Sequence, residues 1–256
     1  MTENPALRVT RVSRSFGGVH AVDGCSFEVR QGTITGLIGP NGAGKSTMLN
    51  LLAGALRPDQ GSIHFFGSEI AHLPAFRIAR QGMARTCQLS SEFARMTVLE
   101  NLMVAPLHQR GDSLWAAVLG PRAWRREERD HVESAWRLLQ RFNLGHLVHE
   151  YAGNLSGGQK RLLELARALQ MKPRLLLLDE PMAGVNPALI SQLADYIAEL
   201  KGEGLTVVMV EHEMGTVERL CDPVIVMAQG RVLAEGSMAE IRANPAVVTA
   251  YLSGQR

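Results

Sequence analysis

The stretch that decides the fold is Gly39-Pro40-Asn41-Gly42-Ala43-Gly44-Lys45-Ser46-Thr47. It matches the phosphate-loop pattern G-x-x-x-x-G-K-[ST] at every fixed position. Residues 34–38 before it are apolar and rich in β-branched side chains, which predicts a buried strand, and residues 48–54 after it predict a helix. A loop between strand and helix can wrap its backbone N–H groups around a phosphate chain. We therefore predict that Lys45 reaches the outer phosphates of a nucleoside triphosphate and that the Ser46 hydroxyl binds Mg²⁺.

Length and composition fit one large domain, or one domain with an insertion. The chain has 256 residues, of which 46% are hydrophobic and 20% are charged. Its net charge of +2 is too small to indicate a nucleic-acid partner by itself. No apolar run approaches the roughly 20 residues of a membrane span, and the first residues show no signal-peptide pattern. The three cysteines form no C-x-x-C motif, so we expect reduced thiols and a cytosolic protein.

Two further buried strands are predicted to end in chemically active side chains. Leu175–Leu178 is fully apolar and is followed by Asp179 and Glu180, while the run 207–210 is followed closely by His212. The carboxyl ends of parallel strands border the crevice where α/β folds bind ligands. We predict that Asp179 holds Mg²⁺, that Glu180 orients or deprotonates the attacking water, and that His212 hydrogen-bonds the γ-phosphate.

Other segments predict an insertion and two more contacts with nucleotide. Residues 89–154 show helical spacing, which indicates a helical insertion in an otherwise α/β domain. Ser156 is a plausible helix cap, and the glycines after it would let a phosphate come close to the helix start. Phe16 precedes two glycines, so we expect its ring to be displayed on a loop and to stack on a purine; a core phenylalanine is the alternative.

With residues 155–159 the pattern becomes specific, and the chain resembles the ATP-binding subunit of ABC transporters over essentially its whole length. The matching parts occur in the order of that family: Phe16 (adenine-stacking aromatic), 39–47 (Walker A), Gln88 (Q-loop), 155–159 (signature), 175–180 (Walker B), 183–187 (D-loop) and His212 (switch histidine). Each part alone is weak or moderate except Walker A and the signature, but together they are specific.

This resemblance implies an α/β fold of the P-loop NTPase class, a RecA-like mixed sheet with an antiparallel β subdomain, plus an inserted helical subdomain. The expected division is residues 1–88 and 160–256 for the ATP-binding core and 89–159 for the helical subdomain. The implied nucleotide contacts are Phe16, Val22, Gly39, Pro40, Asn41, Gly42, Ala43, Gly44, Lys45, Ser46, Thr47, Ser156, Gly157, Gly158 and Gln159. The implied catalytic residues are Glu180, His212, Lys45 and Gln88, and the implied Mg²⁺ ligands are Ser46, Gln88 and Asp179.

A narrower resemblance is to the LivG-type subunit of branched-chain amino acid importers. It is carried by residues 85–88, 96–102, 183–187 and 241–245 and by the long insertion after Gln88. Cys87 departs from it, because an aromatic residue is usual there. Urea, amides and aromatic acids therefore stay open as alternative solutes, and the role of residues 105–125 is also open.

The resemblance further implies partners and a location. They are a second ATP-binding subunit, identical or related, that closes head-to-tail over two ATP molecules; a membrane permease; and, indirectly, a solute-binding protein. The expected location is the cytoplasmic face of the inner or plasma membrane. A soluble ABC-type ATPase acting on ribosomes or DNA is a second hypothesis, disfavoured by the near-neutral charge and the lack of internal repeats. A non-hydrolysing regulatory cassette is a third, disfavoured by the presence of both Glu180 and His212.

Overall fold

The computed structural model describes residues 4–86, 92–106 and 121–253, the side chains of 121–125 and 253 excepted. The chain divides into two compact units. The first comprises 1–85, 174–183 and 187–256, and the second comprises 86–173 and 184–186.

The main sheet of the first unit has six strands in the order β10-β9-β3-β8-β7-β6. Their bounds are Ile34–Ile38 (β3), Met83–Arg85 (β6), Leu175–Asp179 (β7), Thr206–Val210 (β8), Val224–Ala228 (β9) and Arg231–Gly236 (β10). All neighbours are parallel except β9 and β10, which form an antiparallel hairpin. Every residue of β3, β7 and β8 is buried, which explains why these strands are unbroken apolar runs rather than alternating ones.

A second, antiparallel sheet has the order β2-β1-β4-β5. Its strands are Leu7–Phe16 (β1), Val19–Val29 (β2), Gln60–Phe65 (β4) and Ser68–Glu69 (β5). Buried and exposed residues alternate over Cys25–Val29 of β2, as expected for a sheet with one wet face. The buried face shares one hydrophobic core with the main sheet, in which Leu7 and Ile63 join Leu49 and Leu177. The predicted mixed sheet with an antiparallel β subdomain is confirmed.

Six helices complete the described part of the first unit. They are Lys45–Leu52 (α1), Ala75–Arg80 (α2), Pro187–Gly202 (α6), Met214–Leu220 (α7), Met238–Ala243 (α8) and Pro245–Ser253 (α9). Helix α8 begins with a capping box, in which the side chains of Ser237 and Glu240 each accept a hydrogen bond from the other's backbone amide. The α9 helix begins at Pro245, and the Asn244 side chain accepts a hydrogen bond from the Ala246 amide.

The described part of the second unit is helical. It contains Val98–Met103 (α3), Pro121–Arg141 (α4) and Gly157–Gln170 (α5), with short 3₁₀ turns at Gly145–Leu147 and Ala152–Asn154. Leu139 and Phe142 are fully buried, but Val132 and Trp136, which share their helical spacing, are 39% and 44% exposed. The compact unit runs to residue 173, beyond the division drawn at 159, because α5 packs against α3 and α4. The division into functional domains stays a prediction.

Among the described residues, none of the helices combines the length and the apolar character that crossing a lipid bilayer requires.

Candidate functional site

The phosphate loop can be built only with glycine at two of its positions. Gly39 has φ +152°, and a Cβ there would lie 2.1 Å from the carbonyl oxygen of Met227. Gly44 has φ +100°, and a Cβ there would lie 2.3 Å from the carbonyl oxygen of Ala21. The loop therefore passes directly against its neighbouring strands. Helix α1 starts immediately after Gly44, which puts the free amides of its first turn at the loop.

Lys45 lies at the centre of this loop. It is only 6% exposed, and its Nζ donates to the carbonyl oxygens of Gly39 at 2.8 Å and Pro40 at 3.0 Å. Burial lowers the pKa of Lys45, and the negative charges of Glu180 and Asp179 partly oppose that shift. The ammonium is thus held by neutral carbonyls close to two carboxylates, and polyphosphate oxygens could replace those carbonyls as its acceptors.

The other loop residues differ in what they can offer. Asn41, Gly42 and Ser46 are exposed, so their polar groups are available to a ligand. The Ala43 side chain is 2% exposed and packs in the core, so only its backbone can contribute. The Ala43 amide donates to the carbonyl oxygen of Pro40 at 3.2 Å, which closes the turn.

Asp179, at the end of β7, is joined to the helix of the phosphate loop through an arginine. Its side chain has no exposed surface, and its Oδ2 accepts from Nη2 of Arg85 at 2.8 Å. Nη1 of Arg85 donates to Oδ1 of Asn50, on α1, at 2.7 Å. Sequence reasoning assigned Asp179 but missed Arg85 and Asn50. Arg85 ends β6, the strand that pairs in parallel with β7, and this pairing was not visible in the sequence.

Glu180, one residue beyond the end of β7, and His212, two residues beyond the end of β8, form a pair. Glu180 Oε1 lies 3.0 Å from His212 Nε2, and the side chains are 21% and 44% exposed. The Glu180 backbone has φ +49°, which is rare for a residue with a side chain, and its amide donates to the carbonyl oxygen of Val210 at 2.9 Å. Such strained backbone is concentrated at functional sites. The structure thus brings together two of the residues predicted to be catalytic.

A buried carboxylate that sequence reasoning did not assign supports this pair. Glu211 is 3% exposed. Its Oε1 accepts from the Met182 amide at 2.8 Å, and its Oε2 accepts from the amides of His212 at 2.9 Å and Glu213 at 3.3 Å. Glu211 therefore ties the backbone that follows Glu180 to the backbone that carries His212. Its position before His212 was visible in the sequence, but its three backbone partners were not.

Phe16 is displayed as predicted, but on a strand instead of a loop. It is the last residue of β1 and is 43% exposed. The guanidinium of Arg14 lies 4.9 Å from the centre of its ring. Asp59 holds Arg14 at 2.7 Å and accepts from the Ser15 amide at 2.8 Å, and these contacts keep the pKa of Asp59 below its usual range.

The structure differs from expectation at Val22. Its side chain is fully buried in the hydrophobic core, so Val22 supports the sheet and does not present a surface to nucleotide.

The predicted signature begins a helix in the second unit. The Ser156 side chain accepts from the Gln159 amide at 3.3 Å, and Gln159 Oε1 accepts from the Ser156 amide at 2.9 Å. This capping box starts α5. The Oε1 atom of Gln159 is therefore already hydrogen-bonded within its own helix. A Cβ at Gly157 would meet no atom within 4 Å, so the helix start is open. Gln88 lies outside the described residues.

Comparison with known proteins agrees with this arrangement. Residues 22–183 match the family model for ABC transporters, and residues 231–252 match the model for branched-chain amino acid ATP-binding cassette transporters. A probable branched-chain amino acid transport ATP-binding protein LivG of Archaeoglobus fulgidus is 42% identical over 97% of this chain and 96% of its own length. The high-affinity branched-chain amino acid transport ATP-binding protein BraF of Pseudomonas aeruginosa is 41% identical over 97% and 98%.

Solved structures give the same result. A nucleotide-free ATP-binding cassette from an ABC transporter superposes with a TM-score of 0.84 at 35% identity, covering 97% of this chain and 99% of that one. The ADP conformation of an ATP-binding cassette of an ABC transporter superposes with a TM-score of 0.83 at the same identity and coverage. Phosphate loop, paired strand-end residues and relatives thus agree, and the chain belongs to the ABC transporter family as an ATP-hydrolysing, ATP-binding cassette.

Proposed function

We propose that this chain is the ATP-hydrolysing subunit of an importer for branched-chain amino acids. The assignment to branched-chain amino acids rests on the match of residues 231–252 to the branched-chain amino acid cassette model. Two relatives named as branched-chain amino acid transport ATP-binding proteins, matched over nearly their full length, support it. The chain would act at the cytoplasmic face of the membrane, bound to a permease that receives its solute from a solute-binding protein. No nucleic acid takes part.

In this proposal the phosphate loop binds ATP through fixed groups. Residues 41, 42 and 44–47 supply the backbone amides, and Lys45 exchanges the carbonyls of Gly39 and Pro40 for oxygens of the β- and γ-phosphates. The exposed ring of Phe16 stacks on the adenine, and the guanidinium of Arg14 lies over the other face of the Phe16 ring. The site therefore gains most of its affinity from groups already in place, which limits the loss of conformational entropy on binding.

The donor set of the site fits Mg²⁺. The candidate ligands are hard oxygens, a carboxylate at Asp179 and a hydroxyl at Ser46, with Gln88 as a third by resemblance. When bound, Mg²⁺ would neutralise charge on the phosphates.

For hydrolysis, Glu180 is the proposed general base. Its carboxylate takes a proton from the attacking water as the water oxygen bonds to the γ-phosphorus, and the bond between the γ-phosphorus and the bridging oxygen breaks to give ADP and phosphate. His212, 3.0 Å from Glu180, orients the carboxylate and can turn its Nε2 to the γ-phosphate. Through its hydrogen bonds to the amides of Met182 and His212, Glu211 fixes the backbone after Glu180 relative to the backbone that carries His212.

A second cassette, identical or related, completes the site. The start of α5 offers the amides of Gly157 and Gly158, which the capping box leaves free, and they would bind the γ-phosphate held by the partner's phosphate loop. ATP then favours the closed dimer and hydrolysis favours the open one. Gln88 would report the state of the γ-phosphate to residues 91–100, which meet the permease.

The direct test is transport by the reconstituted assembly. The tagged chain is isolated from membranes with its permease and placed in vesicles with its solute-binding protein and enclosed ATP. We expect uptake of labelled leucine that is lost with Glu180→Gln. Uptake of urea or an aromatic amino acid, but not of leucine, would contradict the assignment to branched-chain amino acids. Recovery of the chain with ribosomes or DNA, and with no membrane protein bound, would contradict the assignment to an importer.

A further inference from the structure

The contact that the proposed mechanism does not use is the one between Asp179 and Arg85. The carboxylate of Asp179 has no exposed surface, and the guanidinium of Arg85, whose side chain is 20% exposed, lies 2.8 Å from it. Burying a carboxylate is costly unless a hydrogen-bonded partner of opposite charge offsets the loss of water. Arg85 is a permanent cation, so it supplies that charge before any metal arrives.

The second contact of Arg85 connects this pair to the phosphate loop. Nη1 donates to Asn50 at 2.7 Å, and Asn50 lies on α1, the helix that begins with Lys45 and Ser46. One planar guanidinium therefore joins three elements, namely the ends of β6 and β7 and the body of α1. Through it, the position of the Asp179 carboxylate is tied to the helix that carries the Ser46 hydroxyl.

We propose that Arg85 is a positioning residue that holds the Asp179 carboxylate for Mg²⁺ and sets the Mg²⁺ affinity of the nucleotide site. The inference rests on the proposed role of Asp179 as a metal ligand. Arg85 has two opposing effects. It preserves the geometry and charge of the carboxylate, and as a neighbouring cation it competes with Mg²⁺ for the same negative charge. Because the pair is shielded from water, the competition is stronger than it would be at the surface.

The test measures binding and stability and does not depend on turnover. Binding of a fluorescent ATP analogue is titrated with Mg²⁺ for the wild type, Arg85→Gln and Arg85→Lys, and thermal unfolding is recorded without metal. We expect Arg85→Gln to melt at a lower temperature without Mg²⁺ and to need roughly tenfold less Mg²⁺ for half-maximal binding, since a competing unit charge is gone. Arg85→Lys keeps the charge, so its Mg²⁺ midpoint should stay near the wild-type value.

Arg8→Gln is the matched control, because it removes an exposed arginine paired with Glu28 at 2.6 Å in the antiparallel sheet. It should change neither the Mg²⁺ midpoint nor, measurably, the melting temperature. A folded Arg85→Gln protein whose Mg²⁺ midpoint is unchanged or higher would overturn the inference, since Arg85 would then not compete with Mg²⁺ for the charge of Asp179.

A double variant covers the case in which Arg85→Gln does not fold. Arg85→Gln with Asp179→Asn removes both charges, so it should fold and melt above Arg85→Gln. If the double variant is as unstable as Arg85→Gln or worse, Arg85 does not act through Asp179 and the inference fails. Asp179→Asn alone separates the two proposals: if the Mg²⁺ midpoint of that variant equals the wild-type value, Asp179 does not bind the metal and the metal assignment itself is wrong.

Discussion

At the scale of single residues, the site depends on charges held where water is largely excluded. Lys45, Asp179 and Glu180 are close enough for the two carboxylates to raise the pKa of the lysine against the effect of burial. The ammonium of Lys45 is therefore stabilised by two carboxylates and by its hydrogen bonds to the carbonyls of Gly39 and Pro40. Removing one of these charged groups should change binding or catalysis more than folding.

Replacement of Lys45 tests its proposed binding to the phosphates of ATP. Lys45→Met keeps most of the side-chain volume but loses the ammonium, so ATP affinity should fall by about tenfold or more, as for loss of a charge-assisted hydrogen bond. Hydrolysis should be abolished. The measurement is titration calorimetry with ATP, and an unchanged dissociation constant would remove Lys45 from the phosphate site.

The lowered pKa of Lys45 predicts a pH effect with a definite sign. Because burial depresses this pKa, the ammonium loses its proton at a lower pH than an exposed lysine, and ATP affinity should weaken as pH rises from about 7 towards 10. Charging the buried lysine opposes folding at neutral pH, so its own contribution to the free energy of unfolding becomes less unfavourable as pH rises through the folded-state pKa. Lys45→Met should lack this alkaline loss; an identical pH profile in that variant would contradict the assignment.

Glu180→Gln tests the proposed base. The amide cannot accept the proton of water, so hydrolysis should fall by about a hundredfold or more, while ATP binding should persist. A phosphate-release assay beside a binding isotherm separates the two effects. Turnover at the wild-type rate would mean that another group is the base.

The contact between Arg14 and Phe16 tests the adenine site. Arg14→Gln removes the cation beside the ring, which contributes about 0.5–1 kcal/mol at an exposed position, so ATP affinity should fall two- to fivefold. Phe16→Ala should weaken it further, whereas free triphosphate, which has no adenine, should bind both variants like the wild type. Equal losses for ATP and triphosphate would place the effect elsewhere.

At the scale of secondary-structure elements, the phosphate loop is limited by how closely β9 approaches it. Gly39→Ala would place a Cβ 2.1 Å from the Met227 carbonyl oxygen, so β9 or the loop must shift. We expect a loss of at least about 2 kcal/mol of stability together with the loss of ATP-induced stabilisation in thermal unfolding.

Gly67→Ala is the matched control for that prediction. Gly67 also has positive φ, +82°, but a Cβ there would meet no atom within 4 Å. It should cost only about 1 kcal/mol of backbone strain and leave the ATP response intact. Similar behaviour of the two variants would show that the close approach to Met227 does not matter.

The elements also show how far sequence reasoning reaches. Strands β3, β7 and β8, helix α1, the β9–β10 hairpin and the capping boxes were predictable because periodicity and capping are local properties. The positions of Asp179, Glu180 and His212 at strand ends followed from the same pattern. What a residue touches across the sheet is not local, so the contacts of Arg85 and Glu211 could not be predicted.

The burial of Val22, an expected nucleotide contact, could not be predicted for the same reason, because it depends on which element packs against the strand.

At the scale of the whole molecule, the proposal requires two chains for one complete site. The phosphate loop and the residues Glu180 and His212 lie in one compact unit, and the signature helix start lies in the other. A partner's signature would close over the γ-phosphate, so a bulky cation at Ser156 should block closure without touching the chain's own phosphate loop.

The most direct test of this claim is sedimentation velocity with Mg²⁺ and saturating ATP, comparing Glu180→Gln with Glu180→Gln/Ser156→Arg. The account predicts that Glu180→Gln sediments as a dimer, with itself or with a related cassette isolated in the same assembly, and that the double variant binds the same ATP but stays monomeric. Dimerisation of the double variant to the same extent, or a Glu180→Gln protein that stays monomeric both alone and with that cassette, would contradict it.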